Sequence, residues 1–215
     1  MMDFGASAPW LGSMRHKTTQ TVFDYFNRIR GGKPAPLRAD IDPAELKTVL
    51  PDVFILEMGR NGSPVFRLAG THICTILGRE LRGENFANLW HDTNRHKMKL
   101  AAEAVIAHQA PLTVDIRSAG DDERDGELEM LLMPLSSRPG LRDRLFGSLA
   151  DLSHPPLLSE KARLLWAERL TFVSAAERLA VPADIARNEP LSVATLRNRI
   201  DRVLHLRVLD GGRRD

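Results

Sequence analysis

The sequence predicts an α+β domain: a five-stranded antiparallel sheet with helices inserted between its second and third strands, a helical cap before the sheet and a helical extension after it. Three observations carry this. Val53–Met58 and Pro64–Ala69 are short apolar runs joined by a turn containing Asn61-Gly62, a strong hairpin signal. Val65–Gly83, VFRLAGTHICTILGRELRG, reads as a strand that ends in a tight Gly-Thr corner and passes straight into a short helix. Three more strand-like runs follow the helical region, at Pro111–Ser118, Glu127–Leu135 and Arg144–Leu152. The order is therefore two strands, helices, three strands.

Taken from the start, residues 1–16 read as a disordered leader, with Met14 as the expected natural start. Thr18–Arg30 predicts a helix, because Val22, Tyr25, Phe26 and Ile29 follow the i, i+3, i+4, i+7 rule, and Gly31-Gly32 end it. Asp42-Pro43-Ala44-Glu45 carries helix-start chemistry: Asp42 to cap, Pro43 for the first position, Glu45 to complete a capping box. Leu46, Val49 and Leu50 would then form the buried face, and Pro51 the stop.

At the corner, Gly70 allows the turn and Thr71 is expected to cap the helix. Ile73, Ile76 and Leu77 give that helix one apolar face, and Gly78 ends it. A longer helix is expected from Thr93 to His108, with Met98, Ala102 and Val105 on one face. In the third strand Leu112, Val114 and Ile116 alternate with Thr113, Asp115 and Arg117, so one face should be wet. Met130–Met133 is apolar on both faces, so a cover is needed on the outer side: the N-terminal helices or a partner subunit. Leu158–Ala176 is expected to be helical, Val181–Pro190 a loop, and Leu191–Leu206 a helix with a short coiled-coil-like seam.

The totals narrow the function classes. With 215 residues the chain has room for one well-buried domain plus extensions. A formal net charge of +2 does not by itself point to nucleic acid. The single cysteine, Cys74, excludes an intrachain disulfide and fits a reducing compartment. No apolar run approaches the roughly 18 residues that span a bilayer, and no secretory signal is visible. The expectation is a cytoplasmic protein with no membrane contact.

The ordered motifs resemble a known family. Arg30-Gly31-Gly32, Pro36-Leu37-Arg38, Asp40-Ile41-Asp42-Pro43, Leu50-Pro51 and Phe54–Glu57 are similar, in that order, to the N-terminal part of single-domain bacterial PAS proteins. Arg67-Leu68-Ala69-Gly70-Thr71 with Gly78-Arg79-Glu80-Leu81-Arg82-Gly83 resembles the family's central stretch, and His205-Leu206 with Asp210-Gly211-Gly212-Arg213 its closing one. The resemblance is good over residues 18–152 and least over residues 157–204. It implies a PAS fold and a sensory or regulatory role, without fixing a ligand. The expected organisation is a leader at 1–16, a helical cap at 17–51, a PAS core at 52–153 and a helical extension with tail at 154–215.

A PAS pocket lies between the sheet and the inserted helices. Phe86, Trp90, Met98, Val105, Met130 and Leu132, with Thr71, are the candidate lining, against the plainer reading that they fill a core. Arg79, Glu80 and Arg82 form a candidate polar rim for an acidic ligand or a partner, against the plainer reading of a solvated turn.

Haem would need an imidazole facing an enclosed apolar cavity. His91, His96 and His108 lie at or in the long helix, and His96 sits about 200° around it from Met98, facing away. His72 alone could reach inward; the expectation is capping or surface histidines and no haem. Cys74, in His72-Ile73-Cys74-Thr75, lacks the Asn-Cys-Arg-Phe-type context of flavin-binding members, so a structural thiol and no flavin are expected.

No P-loop, metal-ligand spacing or catalytic constellation stands out, so no enzyme activity is expected. The acidic turn Asp121, Asp122, Glu123 and Asp125 reads as solvated rather than cation-binding. The reading is thus a regulatory module working through protein–protein contact. A homodimer is expected first, built on Leu131, Met133 and the helix at Leu191–Leu206. The alternative is a DNA-binding regulator, since Ala175-Ala176, Leu179, Val181, Thr195-Leu196, Arg197, Arg199 and Arg202 resemble pieces of a helix-turn-helix. About ten residues separate the two pieces where three or four are expected, so nucleic acid is disfavoured.

Overall fold

Among the described residues of a computed structural model, six strands form one antiparallel sheet: β1 Val53–Met58, β2 Pro64–Ala69, β3 Leu112–Ala119, β4 Gly126–Arg138, β5 Leu141–Asp151 and β6 Leu164–Phe172. Their spatial order is β2-β1-β5-β4-β3-β6. Three α-helices accompany them among the described residues: α1 Lys17–Arg30, α2 Thr71–Leu77 and α3 Asp92–His108. The structure describes residues 14–59, 62–119, 126–153 and 163–173.

The strand period of two sorts the side chains into two layers. On the inner face Phe54, Leu56, Phe66, Leu112, Val114, Ile116, Leu128, Met130, Leu132, Leu145 and Leu149 pack against α2, α3 and the 3₁₀ turn at Phe86–Leu89. On the outer face Val53, Ile55, Leu131, Met133, Leu135 and Phe146 pack against Val22, Phe23, Tyr25 and Phe26 of α1. The cover that strand four needs is therefore α1. Leu131 and Met133 are buried under it, so they do not form an exposed dimer surface as expected.

The sixth strand is the main departure from the expected five. Leu164–Phe172 is not helical; it pairs with β3 from Ala119↔Leu164 to Leu112↔Phe172. The physical reason is the open edge of β3. A strand there satisfies a row of N–H and C=O groups that a helix would leave unmet. Arg163, Leu165 and Ala167 alternate into the interior to suit. The third strand is correspondingly drier than expected on its second face, where Thr113 is buried and donates to the Thr171 carbonyl at 3.2 Å. The helical extension expected from 154 is thus replaced by sheet over β6. The expected segments at 181–190 and 191–206, the helix-turn-helix pieces and the acidic turn at 121–125 lie outside the described residues.

Two shorter corrections concern the N-terminal side. Met14–His16 are not loose leader: Met14 is buried in the outer layer, and the Arg15 and His16 backbone N–H groups donate to the two oxygens of buried Glu129, at 2.6 and 3.0 Å. Residues 1–13 lie outside the described residues. The Asp42–Leu50 stretch makes turns rather than a helix, through Leu46 N–H to Pro43 C=O and Val49 N–H to Leu46 C=O. Asp42 does cap, accepting from Ala44 N–H at 2.9 Å, but Glu45 pairs with Arg28 and completes no box. So short a segment before Pro51 cannot repay helix nucleation. Leu46 and Val49 are buried, while Leu50 is exposed.

Candidate functional site

Between β2 and β3 the chain leaves the sheet, crosses its inner face and returns, and this excursion builds the candidate site. Gly70 starts it. A Cβ there would sit 2.1 Å from the Pro51 carbonyl oxygen, so only glycine lets the corner close. Gly70, not Thr71, occupies the N-cap of α2; Thr71 is the first helical residue. Its side chain points to solvent, away from the other proposed lining residues, and its carbonyl accepts from Thr75 Oγ1 at 3.0 Å. Gly78 ends α2 in the left-handed region at φ 65°, as its position predicts.

The remaining lining residues come together. Phe86 and Trp90 flank a 3₁₀ turn that the Asn85 side chain caps by accepting from Ala87 N–H at 2.9 Å. Met98 and Val105 come from α3, Met130 and Leu132 from β4, and all six are buried in one inner cluster. A run of edge-on and tilted aromatic contacts crosses it: Phe54 to Phe66 at 5.7 Å, Phe66 to Phe86 at 6.0 Å, Phe86 to Trp90 at 5.6 Å. Each such pair adds about 0.5–1.5 kcal/mol beyond its burial. Gly147 makes room for this run, because a Cβ there would lie 2.4 Å from the Phe54 ring.

The rim residues are engaged in their own turn. Glu80 accepts from the Leu81 and Arg82 backbone N–H groups at 3.0 and 2.9 Å. Arg79 donates to the Asn88 carbonyl at 3.0 Å and lies 3.7 Å from Glu84. Arg82 is exposed. Arg79 and Glu80 thus fasten the excursion between α2 and the 3₁₀ turn.

The histidines stand around the site, not in it. His72 does not reach inward; its Nδ1 lies 2.5 Å from Asp52 on the other side of the corner. His91 caps α3 and stacks on Trp166 with ring centroids 5.0 Å apart. His96 is exposed. His108 meets the edge of Phe172, and burial pushes its pKa down. Cys74 is half-buried against the inner cluster, and burial pushes its thiol pKa up, away from the reactive thiolate. Among the described residues no group of three His, Cys, Asp or Glu side chains is placed to hold a metal. No helix among them is long and apolar enough to cross a membrane.

Sequence reasoning missed the groups that β6 brings. Leu165 lies beside Trp90, and the Ala167 carbonyl accepts from Lys97 Nζ at 3.2 Å. Trp166 stacks on His91, and the Arg117 guanidinium sits 5.0 Å from the centre of its ring. The usable signal was the run Leu170–Val173, rich in strand-forming residues. It also missed Glu129, an acid in an apolar strand, whose isolation was itself a sign of a specific partner.

A family model described as a PAS domain matches residues 14–150. The chain is similar to the crystal structure of a LOV protein from Rhodobacter sphaeroides, at 17% identity and a TM-score of 0.40, covering 54% of this chain and 70% of that one. It is also similar to the PAS domain of a protein from Colwellia psychrerythraea, at 15% identity and a TM-score of 0.40, covering 53% of this chain and 99% of that one. No curated protein matches the chain. β6 falls beyond the residues that the family model matches.

Proposed function

The chain belongs to the PAS-domain family, and we propose that it is a cytoplasmic sensory or regulatory module that signals by protein–protein contact. The reading assigns it no catalytic step. The observation that supports it is the make-up of the joint between α1 and the outer sheet face. Phe26, Val22 and Tyr25 give this joint an apolar body. Yet Thr19 Oγ1 and Ser148 Oγ are buried within the outer layer with no hydrogen-bond partner among the described residues. Buried unmet hydroxyls weaken a joint by about 1–3 kcal/mol each. Glu129 then acts as the anchor, holding the Arg15 and His16 amides.

In this reading α1 is a cover with two populated positions, docked and released. A small ligand in the inner layer, or a partner, shifts the balance by binding one position better. Release bares Leu131, Met133 and Phe146, an apolar surface suited to a second copy of the chain. Sedimentation of wild type and Glu129→Ala tests it. Loss of the anchor should raise the dimer fraction at a given concentration. Identical distributions for the two proteins, both folded, would sink the reading.

A further inference from the structure

Apart from Asn94 on α3, the inner layer's buried polar groups lie at one corner, where β6 closes it. Trp90 Nε1 and Ser118 Oγ are fully buried there, and neither has a hydrogen-bond partner among the described residues. Leu165 of β6 joins the two positions: it pairs with Ser118 on one side and bridges to Trp90 on the other, while its carbonyl accepts from His91 N–H at 2.9 Å. Ser118 continues the inward row of Leu112, Val114 and Ile116, so its hydroxyl shares their face.

The two unmet groups here can both donate: an indole N–H can only donate, and a serine hydroxyl can donate as readily as accept. Buried donors are nearly always matched, because an unmatched one bears its whole desolvation cost. Phenylalanine at 90 and alanine at 118 would fill similar space with no unmet group. An acceptor brought from outside resolves the mismatch.

We propose that this corner is a subsite for the carboxylate or carbonyl oxygen of a small, otherwise apolar molecule held in the inner layer, with Trp90 and Ser118 as its donors. The proposal rests on the reading that the inner layer takes a ligand, and adds the chemical class of that ligand. β6, which closes the corner, lies outside the family-matched span, while Trp90 and Ser118 lie within it.

Two readouts on the full chain test it: native mass spectrometry, and the indole N–H resonance of Trp90, identified as the one missing from W90F. Both are taken on protein as purified and after unfolding and refolding in plain buffer. A mass excess lost on refolding is expected, together with a shift of the Trp90 resonance. W90F and S118A, each folded by circular dichroism, should each cut occupancy about tenfold. A mass excess whose removal leaves the Trp90 resonance in place, or that both variants keep at wild-type occupancy, overturns the subsite but leaves a ligand in the inner layer. No mass excess and an unmoved resonance overturn the subsite and the ligand half of the functional reading together, leaving signalling by contact alone.

Discussion

The inner and outer layers bury the same kinds of side chain against the same sheet, yet the chain holds them differently. The inner helices lie between β2 and β3, tied to the sheet at both ends, and the aromatic run from Phe54 to Trp90 crosses from strand to helix. The outer layer rests on α1, which among the described residues precedes β1 and joins the sheet through the loop to that strand. Before its N-terminal end the Arg15 and His16 amides are held by Glu129, and Gln20 Nε2 donates to the Met14 carbonyl at 2.9 Å within the same segment. Tyr25 adds a fastening at the loop, its hydroxyl accepting from Asp42 N–H at 2.7 Å. An element that lies outside the succession of strands can leave without parting any of them; one inserted between two strands cannot. On the proposed reading, connectivity more than buried area decides which layer opens.

The sharpest way to break this comparison is to cut the same residue type from each layer. Phe86→Ala in the inner layer should lower stability by about 3–5 kcal/mol in urea unfolding followed by circular dichroism. Phe26→Ala, equally buried in the outer layer, should cost visibly less, because the released position of α1 limits the loss. Equal losses would mean that the two layers unfold as one. Next in size is Gly147→Ala. The added Cβ would meet the Phe54 ring and the Leu131 carbonyl oxygen at 2.4 Å each, so about 1–3 kcal/mol should be lost by overpacking. A neutral result there would show that the aromatic run can shift.

Glu129→Gln sharpens the comparison on the outer side alone. It exchanges one accepting oxygen for a donating NH₂ facing a backbone N–H, which should weaken α1 docking by about 1 kcal/mol. The loss should appear in the exchange of α1 amides and not in those of α3. The smallest effect concerns His108, whose folded pKa burial holds below the ordinary 6.5. Between the folded and unfolded values the unfolded chain binds more protons, so stability rises with pH in that window. It is fully present above about pH 6.5 and is lost as pH falls through the folded pKa. Urea midpoints at pH 7.5 and 5 should diverge more for wild type than for His108→Gln; parallel behaviour would remove His108 from the account.

Much of this was legible in the residues. β1 and β2, the glycine stop of α2 and the buried face of α3 follow from local signals: a hairpin turn, a left-handed cap and a helical period. The need for an outer cover was legible from Met130–Met133 alone. What escaped depends on context that no local window contains. β6 reads as helix because Ala167, Glu168 and Arg169 favour one, and only the open edge of β3 overrides them. Asp42-Pro43 carries sound capping chemistry, but Pro51 leaves too little length for a helix. Thr71 gave way to Gly70 at the cap because the Pro51 backbone approaches too closely for any side chain. The burial of the six apolar candidates in one cluster was legible from period and size, whereas the unmet polar atoms of Trp90 and Ser118 become visible only once β6 is in place.

The most direct test of the central claim, that the outer cover opens on its own, is native-state hydrogen exchange resolved along the chain at low urea. The account predicts that the amides of α1 exchange through an opening of lower free energy and smaller urea dependence than those of α3. One shared opening for both helices, with the urea dependence of global unfolding, would contradict it.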